Sequence, residues 1–450
     1  MREPGESSPA AQVLPIVLTS LYHILGDNDK PGVTGTVQHR VFLGRFAPTP
    51  QVCYNRPMRL IHLSLYNVRN YVRLALDLPP GVTVLVGDNA QGKTNLLEAI
   101  YYLATSRSPH AGSDRELVNW LAVEQEPLPY ARFVGRVARG EDEINIEITL
   151  TRQANNDRRY RKQIRLNGVP RRAMDLLGQL MVVLFLPDDI ALVSGSPGGR
   201  RRYLDVMLCQ VDPAYCRNLA SYNQVVSQRN ALLRDLRERG GDPAQLMFWD
   251  QRLVEHGAFL IARRQEALIA LDELAQTIHS ELTGGAEHLR LRYQPSVEIE
   301  GRDGVEAIGR AFGEQLQAQR RREIPAGVTL VGPHRDDVRF VIDDVDASVY
   351  GSRGQQRTAA LALKLAEVGL MQRETGEYPV LLLDDVLSEL DVRRRRFLVQ
   401  WLGNGPEQAV LTTTDLHALP ATFLHRCQTW QVRMGRLTET APRLPDREAE

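Results

Sequence analysis

The stretch from Val82 to Glu98 reads Val-Thr-Val-Leu-Val-Gly-Asp-Asn-Ala-Gln-Gly-Lys-Thr-Asn-Leu-Leu-Glu. Val82 to Val86 is a short β-branched run of the kind that forms a buried strand, and Leu96, Leu97, Ile100 and Leu103 follow at helical spacing. Between them, Gly87, four residues and then Gly92-Lys93-Thr94 fit the phosphate-loop pattern G-x-x-x-x-G-K-[ST]. The residue types follow from the chemistry. Gly87 and Gly92 open backbone conformations closed to other residues, so successive N–H groups can surround a phosphate. The helix beginning near Lys93 turns its positive end toward the same anion. Lys93 is placed for the β- and γ-phosphates and the Thr94 hydroxyl for Mg²⁺. The competing reading is a chance glycine turn. It is weakened by lysine usage, since lysine stands at only four positions (Lys30, Lys93, Lys162 and Lys364) while arginine carries the other positive charge. Gly87, Asp88, Asn89, Ala90, Gln91, Gly92, Lys93, Thr94 and Asn95 are therefore read as a nucleotide cradle.

At 450 residues the chain can bury a large core, and its length suggests two or three domains. A formal net charge of zero argues against a uniformly basic nucleic-acid binder but leaves room for local patches. Cys53, Cys209, Cys216 and Cys427 form no CxxC pair and have no histidines at metal spacing, so reduced thiols are expected. No apolar run approaches the ~20 residues of a membrane helix. The expectation is a cytoplasmic protein without membrane contact.

Residues 1–57 are rich in Pro, Gly, Ser and Thr without sustained periodicity, which reads either as a disordered extension or as a mis-called start before Met58. From Met58 to about Leu150 the pattern is strand-rich, with Ile144 to Leu150 a clear period-two strand. A basic tract follows, with Arg152, Arg158, Arg159, Arg161, Lys162, Arg165, Arg171 and Arg172 against the single acid Asp157. Asn167-Gly168 predicts a hairpin turn within it. So many cations on one ribbon favour an anionic partner, and Arg158, Arg159, Arg161 and Lys162 are the candidate DNA contacts. Met181 to Leu186 is a further strand. Pro213 to Arg239 and Pro243 to Leu282 are helical, with a broad apolar stripe that suits a compact domain better than a coiled coil. Val328 to Val331 and Val338 to Ile342 read as strands again. Between them, His334 and Asp336 suggest a turn or interface before acid–base chemistry, because no nucleophile pattern accompanies them. The expected division is an α/β head from residues 58–197 and 323–450, interrupted by a helical domain at 198–322.

Val380-Leu-Leu-Leu-Asp384-Asp385 is a buried strand ending in two acids. Such a strand, opposite a phosphate loop, supplies the carboxylate that holds Mg²⁺. Asp384 is the metal candidate, and Asp385 is placed to orient or deprotonate the attacking water. Upstream, Ser352-Arg-Gly-Gln-Gln-Arg357 opens a helix. Ser and Gly suit an ordinary cap. Ahead of a metal-type strand, however, Ser-x-Gly-Gln matches the signature segment of ABC-type ATPases.

Taken together, the motifs resemble the RecF family of bacterial replication and repair ATPases, ABC-type relatives of SMC proteins. The resemblance rests on Asn67 to Tyr71, Gly87 to Asn95, Gly195 to Asp205, Gly332 to Asp337, Ser352 to Arg357 and Leu383 to Asp391, in that order between Met58 and about Met434. It implies an ABC-type P-loop head built from both chain ends, and ATP with Mg²⁺ as cofactors. It implies an ATP-driven homodimer in which Ser352, Gly354, Gln355 and Asp391 reach nucleotide across the interface. It further implies weak, DNA-stimulated hydrolysis, capture of double-stranded DNA near single-strand gaps, partnership with RecO and RecR, and help in loading RecA. Two departures from the wider ABC pattern stand out. Asp385 replaces the usual Glu, consistent with slow turnover, and Thr412 to Asp415 occupies the place of the switch His. A transporter ATPase subunit would be shorter and end in that His. A structural SMC-like protein would need hundreds of heptad residues in the insertion, and a DNA scaffold would bind ATP without cleaving it.

Overall fold

The computed structural model describes residues 58–153, 156–299 and 304–440, with the backbone alone for 156–159. The expectation for residues 1–57 lies outside the described residues.

Two six-stranded sheets enclose one helix. The first is antiparallel, in the order β2-β1-β4-β5-β6-β7, from β1 (Arg59–Val68), β2 (Tyr71–Asp77), β4 (Tyr130–Arg139), β5 (Asp142–Gln153), β6 (Asn156–Leu166) and β7 (Val169–Arg171). Asn167 and Gly168 both take positive φ (49° and 79°) between β6 and β7, the geometry of the tight hairpin that the Asn-Gly pair predicts. The second sheet runs β15-β14-β3-β13-β12-β8, from β3 (Gly81–Val86), β8 (Val182–Phe185), β12 (Val380–Leu383), β13 (Gln408–Thr413), β14 (Gln428–Arg433) and β15 (Arg436–Glu439). Its pairings are parallel except for β15 at one edge. Helix α1 (Lys93–Thr105) lies between the sheets: Leu96, Leu97, Ile100 and Leu103 share one core with Leu63 and Phe133 of the first and Leu85 and Leu382 of the second. Val84, Leu381 and Leu411 face the other way, into the helical layer, so this parallel sheet is covered on both sides.

Side-chain amides tie strands that the ladders leave open. Gln408 accepts from Leu60 N at 2.9 Å and donates to Leu60 O at 2.9 Å, where the β1–β4 register shifts. At the β8 edge, Gln210 makes the same paired contact with Val182, at 2.8 and 3.2 Å.

The helical part comprises α2 (Pro197–Val211), α3 (Pro213–Arg239), α4 (Leu246–Thr283) and α5 (Val305–Ala326). Asp212 caps α3 through Ala214 N and Tyr215 N (2.8 and 3.0 Å), with Pro213 at the first helical position. The 38 residues of α4 run unbroken for about 57 Å. α4 packs along α3, α5 and α6 (Arg353–Thr375) as a compact layer. The expected boundaries at 197/198 and 322/323 fall at the start of α2 and inside α5, so the second of them does not separate two elements. A three-stranded sheet of β9 (Leu289–Gln294), β10 (Asp337–Ile342) and β11 (Val345–Asp346), in the order β11-β10-β9, adds a further link across that boundary. Helix α7 (Val392–Asn404) precedes β13.

Val328 to Val331, expected as a strand, forms none. Side chains take the ladder's place: Thr329 N donates to Asn230 Oδ1 and Leu330 N to Glu323 Oε1, both at 2.8 Å. The following Gly332 to Asp337 run is the joint between head and helices. Arg264, fully buried, donates to Pro333 O at 2.6 Å and pairs with Asp205 at 2.7 Å and Asp336 at 3.3 Å. Arg200 grips Asp337 with two bonds of 2.6 and 2.9 Å. His334 Nδ1 lies 2.6 Å from Tyr222 Oη and Nε2 lies 3.2 Å from Thr329 O, so this histidine serves the turn.

Two consequences can be measured. Arg229, also fully buried, holds Asp250 at 2.7 Å and Glu323 at 2.6 Å. Arg320 also holds Asp250 at 2.7 Å, so Arg229→Met leaves the fully buried Glu323 as the acid without a charged partner and should cost about 3–5 kcal/mol in a denaturant titration. Burial, aided by Arg335, Arg201 and Arg229, pushes His334 down from 6.5 to about 4. The unfolded chain then takes up a proton that the fold resists. This group's share of stability is intact above about pH 6.5 and lost progressively toward pH 4, so His334→Gln should flatten that part of the stability–pH curve.

Candidate nucleotide site

The loop following β3 is held open by neighbours that sequence spacing did not reveal. Asn70 Nδ2 donates to Gln91 O and Tyr71 Oη donates to Gly92 O, each at 2.9 Å. Asn95 Nδ2 donates to Asn70 Oδ1 at 2.9 Å, and Met434 N donates to Gln91 Oε1 at 2.8 Å. Gly92 has φ 115°, and a methyl group there would meet the Asn70 side chain; one on Gly87 would collide with the Val432 carbonyl. Both glycines are thus required by geometry as well as by motif. Ala90 also stands at positive φ (63°), and Asp88, Asn89 and Ala90 form the exposed lip. Lys93 Nζ donates to Gly87 O and Asp88 O at 2.6 and 2.9 Å, which aims the ammonium back over the loop. Burial lowers its pKa, while Asp385, Asp384 and Asp88 oppose the shift.

Thr94 meets Asp384 across the sheet. Thr94 Oγ1 donates to the two Asp384 oxygens at 2.8 and 3.0 Å. A hydroxyl and a carboxylate converging beside a phosphate cradle are the donor set for Mg²⁺, an ion that keeps waters and phosphate oxygens as its remaining ligands. Among the described residues no cluster of three or more His, Cys, Asp or Glu side chains offers a self-contained metal cage, so the fit depends on nucleotide oxygens. Asp385 is in the left-handed region (φ 48°), and its pKa is raised by burial against the pull of Ser388 and Lys93. A carboxylate so placed is suited to accept a proton from water.

Thr412 was not among the expected site residues. Its Oγ1 donates to Asp384 Oδ1 at 2.8 Å and accepts from Asp385 N at 2.9 Å, fixing both acids. By motif this position is only the place of a missing histidine; its role depends on β12 lying beside β13.

The signature-type segment belongs to another part of the head. Ser352 caps α6: its Oγ accepts from Gln355 N at 3.2 Å and Gln355 Oε1 accepts from Ser352 N at 2.9 Å. Gln355 Nε2 reaches Glu287 at 3.0 Å, and Ser352 to Gly354 are exposed. Asp391 caps α7 and pairs with Arg394 at 2.6 Å. None of these contacts is with the phosphate loop of the same chain.

In the basic tract, the side chains of Arg158 and Arg159 lie outside the described residues. Arg161 is exposed on the outer face of β6. Lys162 is on the inner face, contrary to its expected DNA contact: Nζ donates to Ser106 O at 2.8 Å, pairs with Asp114 at 3.2 Å and sits 4.9 Å from the Tyr102 ring centroid. Strand alternation is the reason, since Lys162 shares parity with the buried Ile164.

A strand–loop–helix phosphate cradle facing an acid-ended strand, flanked by an antiparallel sheet and a helical layer, defines an ABC-type P-loop head. The family model described as the RecF/RecN/SMC N-terminal domain matches residues 59–422. The chain is 45% identical over 389 residues to the DNA replication and repair protein RecF of Chloroflexus aurantiacus, covering 84% of this chain and 99% of that one. It is 46% identical over 392 residues to the same-named protein of Roseiflexus castenholzii, with the same coverage. Among solved structures, the recombination mediator protein RecF of the RecFOR pathway, as RecF–ATP, superposes with TM-score 0.77 at 33% identity, covering 86% of this chain and 98% of that chain. The chain belongs to the RecF family. No helix among the described residues is long and apolar enough to cross a membrane.

Thr412→Val keeps the volume and removes both hydrogen bonds. The Mg²⁺ concentration giving half-maximal binding of a fluorescent ATP analogue should rise about 10- to 100-fold, with the circular dichroism spectrum unchanged.

Proposed function

We propose that this chain is an ATP-dependent DNA-binding protein of recombinational repair and replication restart. ATP draws two copies together, and the closed dimer captures double-stranded DNA near single-strand gaps. It works with RecO and RecR and assists RecA loading. Lys93 and Thr94 hold phosphate and Mg²⁺, Asp384 the metal, and Asp385 the hydrolytic water. Ser352, Gly354 and Gln355, with Asp391, address nucleotide on the other copy. Mg²⁺, when bound, offsets negative charge on the phosphates. Turnover is slow, because an Asp in place of Glu sets its carboxylate one methylene further from the water, and it is accelerated by DNA.

The observation that carries this reading is the separation of two nucleotide-type elements. The loop and metal couple close on each other through Thr94 and Asp384, while the exposed Ser352–Gln355 cap finds its partners elsewhere. A second copy would bring the two together. The names of the relatives and the ATP complex of one of them support the repair context and the nucleotide. Arg161, with Arg158 and Arg159, is the proposed duplex contact, and Lys162 is left out of it.

Sedimentation with ATP, ADP or no nucleotide, with and without duplex DNA, is the decisive experiment. ATP alone should produce a dimer, stabilised further by duplex. Lys93→Met should abolish phosphate release. Ser352→Asp preserves the helix cap, since Asp caps as well as Ser, but sets a negative charge against γ-phosphate. It should bind ATP normally and remain monomeric. A normal ATP-driven dimer in that variant would reduce Ser352 to a cap.

A further inference from the structure

The inner face of the antiparallel sheet packs on α1; on its outer face only the β6 end, at Arg161, has been given a role, and the stretch over β2, β1 and β4 has none. The register lays out that face in rows. Arg73, Tyr66, Arg132, Thr149 and Gln163 form one row across five strands, about 19 Å at the usual strand spacing. Glu147 and Arg165 lie in the next row, and Arg136 in the one beyond. Tyr66 and Tyr130 stack with centroids 5.0 Å apart and planes at 21°, and the Arg73 guanidinium lies 5.6 Å from the Tyr66 centroid. Tyr130 remains 36% exposed. Ser64, Tyr66, Arg73, Ala75, Tyr130 and Arg132 border a groove of about 430 Å³.

The charges on this face are unbalanced. Arg59, Arg73, Arg132, Arg136, Arg161 and Arg165 face three acids, Asp77, Glu143 and Glu147. Asp77 is engaged with His62 at 2.6 Å and Glu147 with Arg132 at 2.9 Å. Nε of Arg165 has no hydrogen-bond partner among the described residues. In a chain of zero net charge this is a local cationic surface. It is also an aromatic one, and that selects the ligand. A duplex keeps its bases stacked inside and presents phosphates alone, whereas a single strand offers π-faces that stack on exposed tyrosines while arginines follow its backbone.

We infer that the outer face of the antiparallel sheet binds single-stranded DNA, with an unstacked base on the Tyr66–Tyr130 pair and the phosphates along Arg73, Arg132 and Arg165. The inference extends the proposed function by giving the single-stranded side of a gap its own site. It does not require ATP or a dimer, so it is tested without nucleotide in the Lys93→Met background. Binding of a fluorescent oligo(dT) and of a hairpin duplex is measured for the otherwise unchanged chain and for Tyr130→Ala, Tyr66→Leu and the ring-preserving Tyr130→Phe. Loss of stacking should weaken oligo(dT) about ten-fold in the first two variants, leave Tyr130→Phe near the starting affinity and spare the duplex. Photocrosslinking of 5-iodouracil in the oligonucleotide should label Tyr130 in the unsubstituted ring pair. Equal weakening of both ligands would make this a duplex phosphate surface and overturn the inference. So would unchanged oligo(dT) affinity in the variants or a crosslink elsewhere. Failure of ATP-driven dimerisation would sink the proposed function and leave this result standing.

Discussion

The head depends on one strand from the first half of the chain wedged between two from its end. β3 pairs in parallel with β13 on one side and β14 on the other, and the Thr94–Asp384 contact closes the same junction at side-chain level. Without that pairing, Gly87 has no Thr413 carbonyl to bond, Gln91 has no Met434 and Gly435 amides, and the Thr94–Asp384 contact has one member. The nucleotide cradle is therefore a tertiary object, although its motif is contiguous. Tyr71 and Asn70, brought up by the antiparallel sheet, finish the loop from behind.

A second constraint is electrostatic. The helical layer is fastened to the head by arginines buried among acids, Arg264 with Asp205 and Asp336, and Arg200 with Asp337. Buried pairs of this kind add little net stability over apolar packing, yet losing one partner is expensive. Their use at this joint fits geometry better than strength. The guanidinium fork bonds backbone and carboxylate together, so the helices meet the head in one orientation. Gly332 belongs to the same joint, since a side chain there would strike Tyr222 and Phe312.

Much of this was legible in the residues. The phosphate loop, the acid-ended strand, the Asn-Gly hairpin and the return of the chain to the head are local patterns, each with a physical cause near it in sequence. The parity of Lys162 with Ile164 was also present and points inward, but total basic charge obscured it. Val328 to Val331 carries strand propensity, yet Asn230 and Glu323 satisfy its backbone from other elements, and no local pattern announces that. Thr412 is the plainest case of what local reading misses. Its chemistry arises only because β12 and β13 are neighbours, and adjacency in a sheet is not written in either strand.

The wedge has a bearing on biosynthesis. Roughly 320 residues separate the end of β3 from the start of β13. At ribosomal speeds of about 5–20 residues per second, the apolar ribbon from Val82 to Val86 waits about 15–65 s for its neighbours to emerge. In that interval both its edges are open to any other extended chain, the situation in which nascent proteins aggregate. A newly made chain of this kind is a natural client for a chaperone that shields bare strands, and its yield in a heterologous host should be governed by that interval more than by the stability of the finished fold.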